Sequence, residues 1–237
     1  MKVKICGIKD KETALFATSK GADFLGFVFF EKSPRNISID KAIEIKNSLI
    51  NSFPCKRESS YMDSRIRGNE NFDKSKIEIP KIVAVLVDAD DNFLHELQKL
   101  NPDYIQLHGS ETPAKSREIK EKYNFNIIKA ISISEEKDLE KAKEFSNIAD
   151  YILFDAKPPK TSVLPGGNAI SFDWKILKNF NPSYKWFLSG GLNSENISEA
   201  LSLANPYGLD VSSGVESSAG VKDFTKIEKF LQNSKNI

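Results

Sequence analysis

The chain has 237 residues, 40% hydrophobic, with 34 Lys+Arg against 33 Asp+Glu and a formal net charge of +1. That length suits one large α/β domain or a closed barrel, and the balanced charge gives no electrostatic case for nucleic acid or an acidic membrane surface. The longest apolar runs, 24–30 and 82–87, are far too short to span a bilayer. The residues after Met1 look like a strand and not like a signal peptide, so the expected location is the cytoplasm. The two cysteines, Cys6 and Cys55, and the two histidines, His95 and His108, lie scattered, without metal-ligand spacing. In a cytosolic chain a Cys6–Cys55 disulfide is not expected.

Val3-Lys4-Ile5-Cys6 alternates apolar and polar, the period of a short strand. It stops at Gly7, a residue that supplies the backbone angles of a turn. A helix is predicted over about 10–20, with Gly21 as its stop signal. Residues 24–30 are apolar almost throughout, as in a strand buried on both faces. Ser33-Pro34-Arg35 is a loop, and Ser38 caps a helix over 39–49 whose apolar stripe is Ala42, Ile43, Ile45 and Leu49. From 51 to 79 the pattern dissolves into charge, Ser and Asn. So long a loop is unusual inside a compact domain, and it reads as a surface insertion of roughly 25–30 residues. A tolerated passenger is the simpler reading and a functional lid the sharper one; its core, FPCKRESSYMDSRIRGNE, resembles the translation of a dispersed bacterial repeat element.

Order resumes with a strand over 82–87 and a helix over 92–100. A strand over 104–107 ends in His108-Gly109, and a helix over 112–122 follows. Next come a strand over 126–131, a helix over 135–145 and a strand over 151–154 that ends at Asp155. A long loop, 156–171, precedes a short helix over 173–177. The strand over 185–188 ends in Ser189-Gly190-Gly191, and a helix covers 193–203. The strand over 208–211 ends in Ser212-Ser213-Gly214, and the last helix covers 223–232. Strands and helices thus alternate eight times, which argues for parallel pairing through helical crossovers. Eight units can close and leave no exposed edge. The expected fold is α/β, a (β/α)8 TIM barrel forming a single domain over 1–237, with the 51–79 insertion between its second helix and third strand. An open doubly wound sheet is the alternative, but no GxGxxG follows the first strand.

In a barrel, the residues just after each strand share one rim, and chemistry happens there. Cys6 at a strand end is either a buried filler or a group that takes a proton or attacks an electrophile. Neighbouring positive charge would raise its thiolate fraction. Asp155 follows an apolar strand, and Ala156, Lys157, Pro158 and Pro159 form no helix start, which weakens a capping account. In a partly apolar pocket its carboxyl would be raised and able to donate a proton. His108 stands on the predicted rim, and Gln106 points to the same side of its strand. His95 lies on a helix and reads as structural. Arg35 is either a solvated surface residue or a clamp on a carboxylate through two parallel hydrogen bonds. Gly190, Gly191, Ser212, Ser213 and Gly214 form the loops that grip phosphate in this architecture, and Pro165-Gly166-Gly167-Asn168 could close over the same phosphate. Asp210 should point inward or towards the rim; no role is assigned to it.

The motifs KICGI, GFVF with SPRNIS, QLHG, FDAKPP with PGGN and FDW, LSGGLN, and DVSSGVE resemble the phosphoribosylanthranilate isomerase family of tryptophan biosynthesis. They occur in order over nearly the whole chain except about 51–79. The resemblance implies a (β/α)8 barrel that carries out an Amadori rearrangement without cofactor or metal. N-(5-phosphoribosyl)anthranilate becomes 1-(2-carboxyphenylamino)-1-deoxyribulose 5-phosphate. It further implies Cys6 as general base, Asp155 as general acid, Arg35 near the anthranilate, and the glycine–serine loops as the phosphate site. Partners would be this small phosphorylated substrate only, in a monomer or a homodimer. Two departures stand out. The insertion is foreign to the pattern and, following a helix, falls on the rim opposite the catalytic one; Ala169 stands where relatives often carry glycine. Three alternatives compete. A histidine-pathway isomerase would carry aspartate where Cys6 stands. A metal-dependent epimerase would need a larger ligand set than His108. A non-catalytic phosphate-binding barrel would have no need of both Cys6 and Asp155.

Overall fold

The computed structural model describes residues 1–53, 78–158, 166–167 and 171–235. Most of the insertion, with Cys55, and also Pro165, Asn168 and Ala169, lie outside the described residues. Eight parallel strands close into a barrel in sequence order. They are β1 (Lys2–Cys6), β2 (Phe24–Phe29), β3 (Lys81–Leu86), β4 (Tyr104–Leu107), β5 (Ile127–Ile133), β6 (Tyr151–Ala156), β7 (Trp186–Leu188) and β8 (Gly208–Val211). The helices are α1 (Lys11–Ser19), α2 (Ile39–Ser52), α3 (Asp91–Leu97), α4 (Pro113–Tyr123), α5 (Lys141–Phe145), α6 (Ile197–Leu203) and α7 (Phe224–Lys235). Asp10, Ser38, Asp90 and Thr112 start α1 to α4 by accepting a backbone N–H three residues on, which satisfies donors that the helix leaves orphaned. Among the described residues no helix is long and apolar enough to cross a membrane.

Two apolar layers follow from the period of two along each strand. Val3, Ile5, Leu25, Phe27, Ile82, Ala84 and their like face outward against the helices. Each fully buried Leu or Ile there contributes about 1.5–3 kcal/mol. The inward set at the N-terminal mouth is aromatic. Phe24, Tyr104, Tyr151, Phe187 and Tyr207 touch with ring centroids between 5.2 and 6.2 Å and fill that mouth. Only the other rim is left to hold a ligand.

The structure departs from the expected elements in five places. Asp155 lies within β6 and pairs with Ser132 of β5, so it is held by the ladder and does not hang beyond it. The helix predicted over 135–145 divides into a 3-10 turn, Glu136–Glu140, and the short α5. The short helix over 173–177 is a 3-10 turn, Trp174–Leu177. The helix predicted from 193 begins at Ile197, because Asn193 Oδ1 accepts from the amides of Glu195 (2.8 Å) and Asn196 (3.1 Å) and folds its own turn. A small antiparallel hairpin, β9 (Glu216–Ser218) and β10 (Val221–Lys222), follows β8 and was not expected.

Candidate active site

Alternation along the strands aims Lys4 and Cys6 of β1, Gln106 of β4, Asp155 of β6 and Asp210 of β8 into the barrel. At its C-terminal rim a cleft with about 800 Å³ of atom-free space opens to solvent. Cys6, Arg35, Gln106, His108, Asp155, Gly166, Gly167, Gly190, Gly191, Ser212 and Ser213 all line it. Eleven of the twelve residues picked from sequence therefore meet in one place. Gly214 does not line the cleft: a Cβ there would lie 1.9 Å from the Leu192 carbonyl oxygen, so it packs behind the loop.

Cys6 and Asp155 belong to strands separated by β7 and β8, so they face each other across the cleft. The layer below Cys6 is charged. Lys4, with no solvent exposure, donates to Asp210 Oδ1 at 2.8 Å, and Ser189 Oγ donates to Asp210 Oδ2 at 3.3 Å. Gly26 pairs with Cys6 across β1 and β2. A Cβ on Gly26 would stand 2.9 Å from Cys6 Sγ and 3.1 Å from Lys4 Nζ, so thiol and ammonium flank one gap. Burial pushes the Cys6 thiol up; Lys4 and Lys222 oppose the rise and Asp210 adds to it. The positive charges expected to favour the thiolate are present in Lys4 and Lys222, and burial opposes them.

On the opposite wall, Asp155 Oδ1 accepts from the Ala156 amide at 2.9 Å, and Oδ2 lies 3.3 Å from His108 Nε2. The His108 N–H is not aligned on that oxygen, and Nε2 has no hydrogen bond among the described residues. Gln106 Nε2 lies 3.1 Å from His108 Nδ1, and Gln106 Oε1 is buried without a partner among the described residues. The loop that carries His108 is braced by a buried ion pair. Lys129 donates to Glu111 (2.7 Å) and to the Gly109 carbonyl (3.0 Å), and Glu111 accepts from the Asp88 and Gly109 amides, each at 3.0 Å. Gly166 roofs this wall. A Cβ there would meet Asp155 Oδ2 at 2.4 Å and His108 Cε1 at 2.6 Å. Gly166 and Gly167 therefore lie against Asp155, His108 and Arg35, and they line the same cleft as the loops after β7 and β8.

Arg35 is buried, not a solvated surface residue. Its Nε and Nη2 donate to Glu216 Oε1 and Oε2, both at 2.8 Å, so the two-pronged edge is already used within the chain. Nη2 also reaches the Gly167 carbonyl at 3.3 Å. Lys222 bonds Glu216 Oε1 (2.9 Å) and the Ser212 carbonyl (2.9 Å), tying hairpin β9–β10 beneath the β8 loop. Burial pushes the Glu216 carboxyl up, but Arg35 and Lys222 together hold it below the usual range. Burial also lowers Lys222. Gly190 and Gly191 adopt φ of +87° and +67°, and a Cβ on Gly190 would meet the Ala156 amide nitrogen at 2.7 Å. Sequence reasoning missed Lys4, Glu216 and Lys222. The fragments KICGI and DVSSGVE carried the available signals, since they include Lys4 and Glu216. Among the described residues no group of three or more His, Cys, Asp or Glu side chains is placed to hold a metal ion.

A closed (β/α)8 barrel with a thiol and a carboxyl facing each other at its C-terminal rim, beside two glycine–serine loops, defines a barrel enzyme. Residues 56–233 match the family model described as N-(5'phosphoribosyl)anthranilate (PRA) isomerase. The N-(5'-phosphoribosyl)anthranilate isomerase of Mesorhizobium japonicum is 43% identical over 97% of this chain and 93% of its own, and that of Brucella canis is 44% identical over 97% and 92%. The structure of phosphoribosyl anthranilate isomerase from Thermotoga maritima superposes with a TM-score of 0.78 at 32% identity, covering all of both chains. A phosphoribosyl anthranilate isomerase in complex with reduced 1-(o-carboxyphenylamino)-1-deoxyribulose 5-phosphate matches with a TM-score of 0.75 at 30% identity, again over all of both chains. The chain belongs to the N-(5'-phosphoribosyl)anthranilate isomerase family and is an isomerase of tryptophan biosynthesis.

Proposed function

We propose that Cys6 is the general base and Asp155 the general acid of an Amadori rearrangement of N-(5-phosphoribosyl)anthranilate in the cytoplasm. Asp155 gives its proton to the ribose ring oxygen. The C1–O bond breaks as the nitrogen lone pair forms C=N. The Cys6 thiolate then takes the C2 proton, the C–H electron pair becomes the C1=C2 bond, and the C=N π pair returns to nitrogen as its lone pair, giving an enolamine. That enolamine gains a proton at C1 and loses one from the 2-hydroxyl, giving the ketone, while the Asp155 carboxylate regains a proton and the Cys6 thiol gives one up by exchange through water. Atoms and electrons balance without any further reagent. One observation carries this reading: Cys6 and Asp155 line the same cleft from strands on opposite sides of it.

The remaining groups fall into place around that pair. The amides of Gly190, Gly191, Ser212 and Ser213 hold the phosphate. Gln106 Oε1 and His108 Nε2, buried and without a partner among the described residues, hydrogen-bond the sugar hydroxyls. Gly166 and Gly167 cover the sugar, and Arg35 meets the anthranilate carboxylate from the edge that Glu216 leaves free. The substrate class is supported by a relative solved in complex with reduced 1-(o-carboxyphenylamino)-1-deoxyribulose 5-phosphate. Loss of substrate fluorescence tests it. Cys6→Ser and Asp155→Asn should each lower kcat by about 10²-fold or more with the fold intact by circular dichroism. Unchanged turnover in both variants overturns the scheme. Because burial pushes the thiol up, wild-type kcat/KM should climb with pH through and above neutrality.

A further inference from the structure

Lys4 is a charged side chain with no solvent exposure, and the acid–base scheme does not use it. An ammonium removed from water is costly unless paired, whereas a Met would fill the same space at no such cost. Packing therefore does not account for a lysine here. Its surroundings do. Asp210 sits opposite Lys4 in the β1–β8 register and takes its hydrogen bond at 2.8 Å. Ser189 fixes the other Asp210 oxygen. Two residues on from Lys4, on the same face of β1, is Cys6, with Gly26 leaving open the gap that both flank.

We propose that Lys4 and Asp210 are positioning residues for Cys6: Lys4 presents its ammonium to the sulfur from the layer below and favours the thiolate, while Asp210 keeps that ammonium charged and in place. The inference rests on Cys6 being the base. In the step itself the thiolate lone pair takes the C2 proton and ends as a thiol, and Lys4 neither gains nor loses a proton. Three charged groups act on the sulfur: Lys4 from its own strand, Asp210 from β8 and Lys222 from β10. Lys4 opposes the effect of burial more strongly than any other neighbour, and Asp210 works the other way by less. Removing both charges therefore raises the thiol, and removing Lys4 alone raises it further.

The test uses the full chain with Cys55→Ser, so that one thiol is left. The pH dependence of iodoacetamide alkylation gives the Cys6 midpoint, and kcat/KM against pH gives the acid limb. Lys4→Met leaves a buried carboxylate without its cation, so Lys4→Met/Asp210→Asn carries the test wherever the single variant does not fold. In the double variant the midpoint should rise by about 0.5 pH unit or more, roughly a threefold loss of thiolate below the midpoint. The acid limb of kcat/KM should move with it, while KM stays near wild type and rate returns at high pH. A midpoint and a pH profile both unmoved in the folded double variant overturn the proposal. Wild-type turnover in Cys6→Ser would instead remove Cys6 as base, so the two failures are told apart.

Discussion

Gly26 has no side chain because two reactive groups occupy the space beside it. In Gly26→Ala the new methyl would meet Cys6 Sγ at 2.9 Å, and Cys6 Cα and Lys4 Nζ each at 3.1 Å. Overpacking of this kind costs about 1–3 kcal/mol. Displacing a general base from its line of attack should lower kcat by roughly tenfold or more. Urea unfolding and steady-state kinetics check the two halves, and a wild-type kcat would show that the gap is not used to hold the thiol. Cys6, Asp155 and His108 were legible in the sequence for one reason: each is a reactive side chain at the end of an apolar strand. Lys4 was not. A lysine alternating with Val3 and Ile5 reads as the wet face of a half-buried strand. Only closure of the barrel turns that face inward, and closure is a property of all eight strands. Glu216 and Lys222 stayed hidden because a hairpin of three and two residues is too short to show a period.

The elements around the site depend on a few carboxylates. Asp138 takes the amides of Ser134 (2.9 Å) and Glu135 (3.3 Å), the Ser134 hydroxyl (3.1 Å) and Lys141 (2.8 Å), closing the turn after β5. Burial pushes its carboxyl up, but these donors more than offset that and hold it far below its ordinary value of 3.8. A depressed folded value means stability present above the ordinary range and lost as pH falls through the folded one. Asp138→Ala should therefore cost about 1–2 kcal/mol at neutral pH, and the gap between variant and wild type should close in acid, as thermal melts at several pH values would show. Glu216→Gln reaches further. It leaves Arg35 and Lys222 buried without their counter-charge and should cost about 3–5 kcal/mol by urea denaturation. An unchanged midpoint would mean that the hairpin is held by something other than this pair of contacts. Strand positions were legible because buried runs such as 24–30 and 82–87 have no other good reading. Helix starts were legible where Asp10, Ser38 and Thr112 cap them. The helix predicted from 193 was misread because asparagine caps and asparagine turns use the same side-chain bonds, and spacing alone does not separate them.

At the scale of the whole molecule, the barrel divides its labour between two mouths. The aromatic layer of Phe24, Tyr104, Tyr151, Phe187 and Tyr207 closes the N-terminal mouth, while the loops at the C-terminal ends of the strands keep the other open. The flanks of the insertion fall on the closed side. Helix α2 ends at Ser52, and β3 starts at Lys81, which pairs with Phe24 of the aromatic layer. Nothing at the open rim is attached to those flanks, so the flanks themselves stand a barrel's length from the cleft. Replacing residues 54–77 with a short Gly-Ser linker should therefore leave kcat/KM within about threefold of wild type. Stability should rise, because cutting a loop to a quarter of its length lowers its closure cost by about 1.2 kcal/mol. Steady-state kinetics and urea unfolding on the purified deletion variant measure both. A folded variant that has lost its isomerase rate would mean that the insertion reaches the cleft after all, and the bland reading of a tolerated passenger would give way to a functional one.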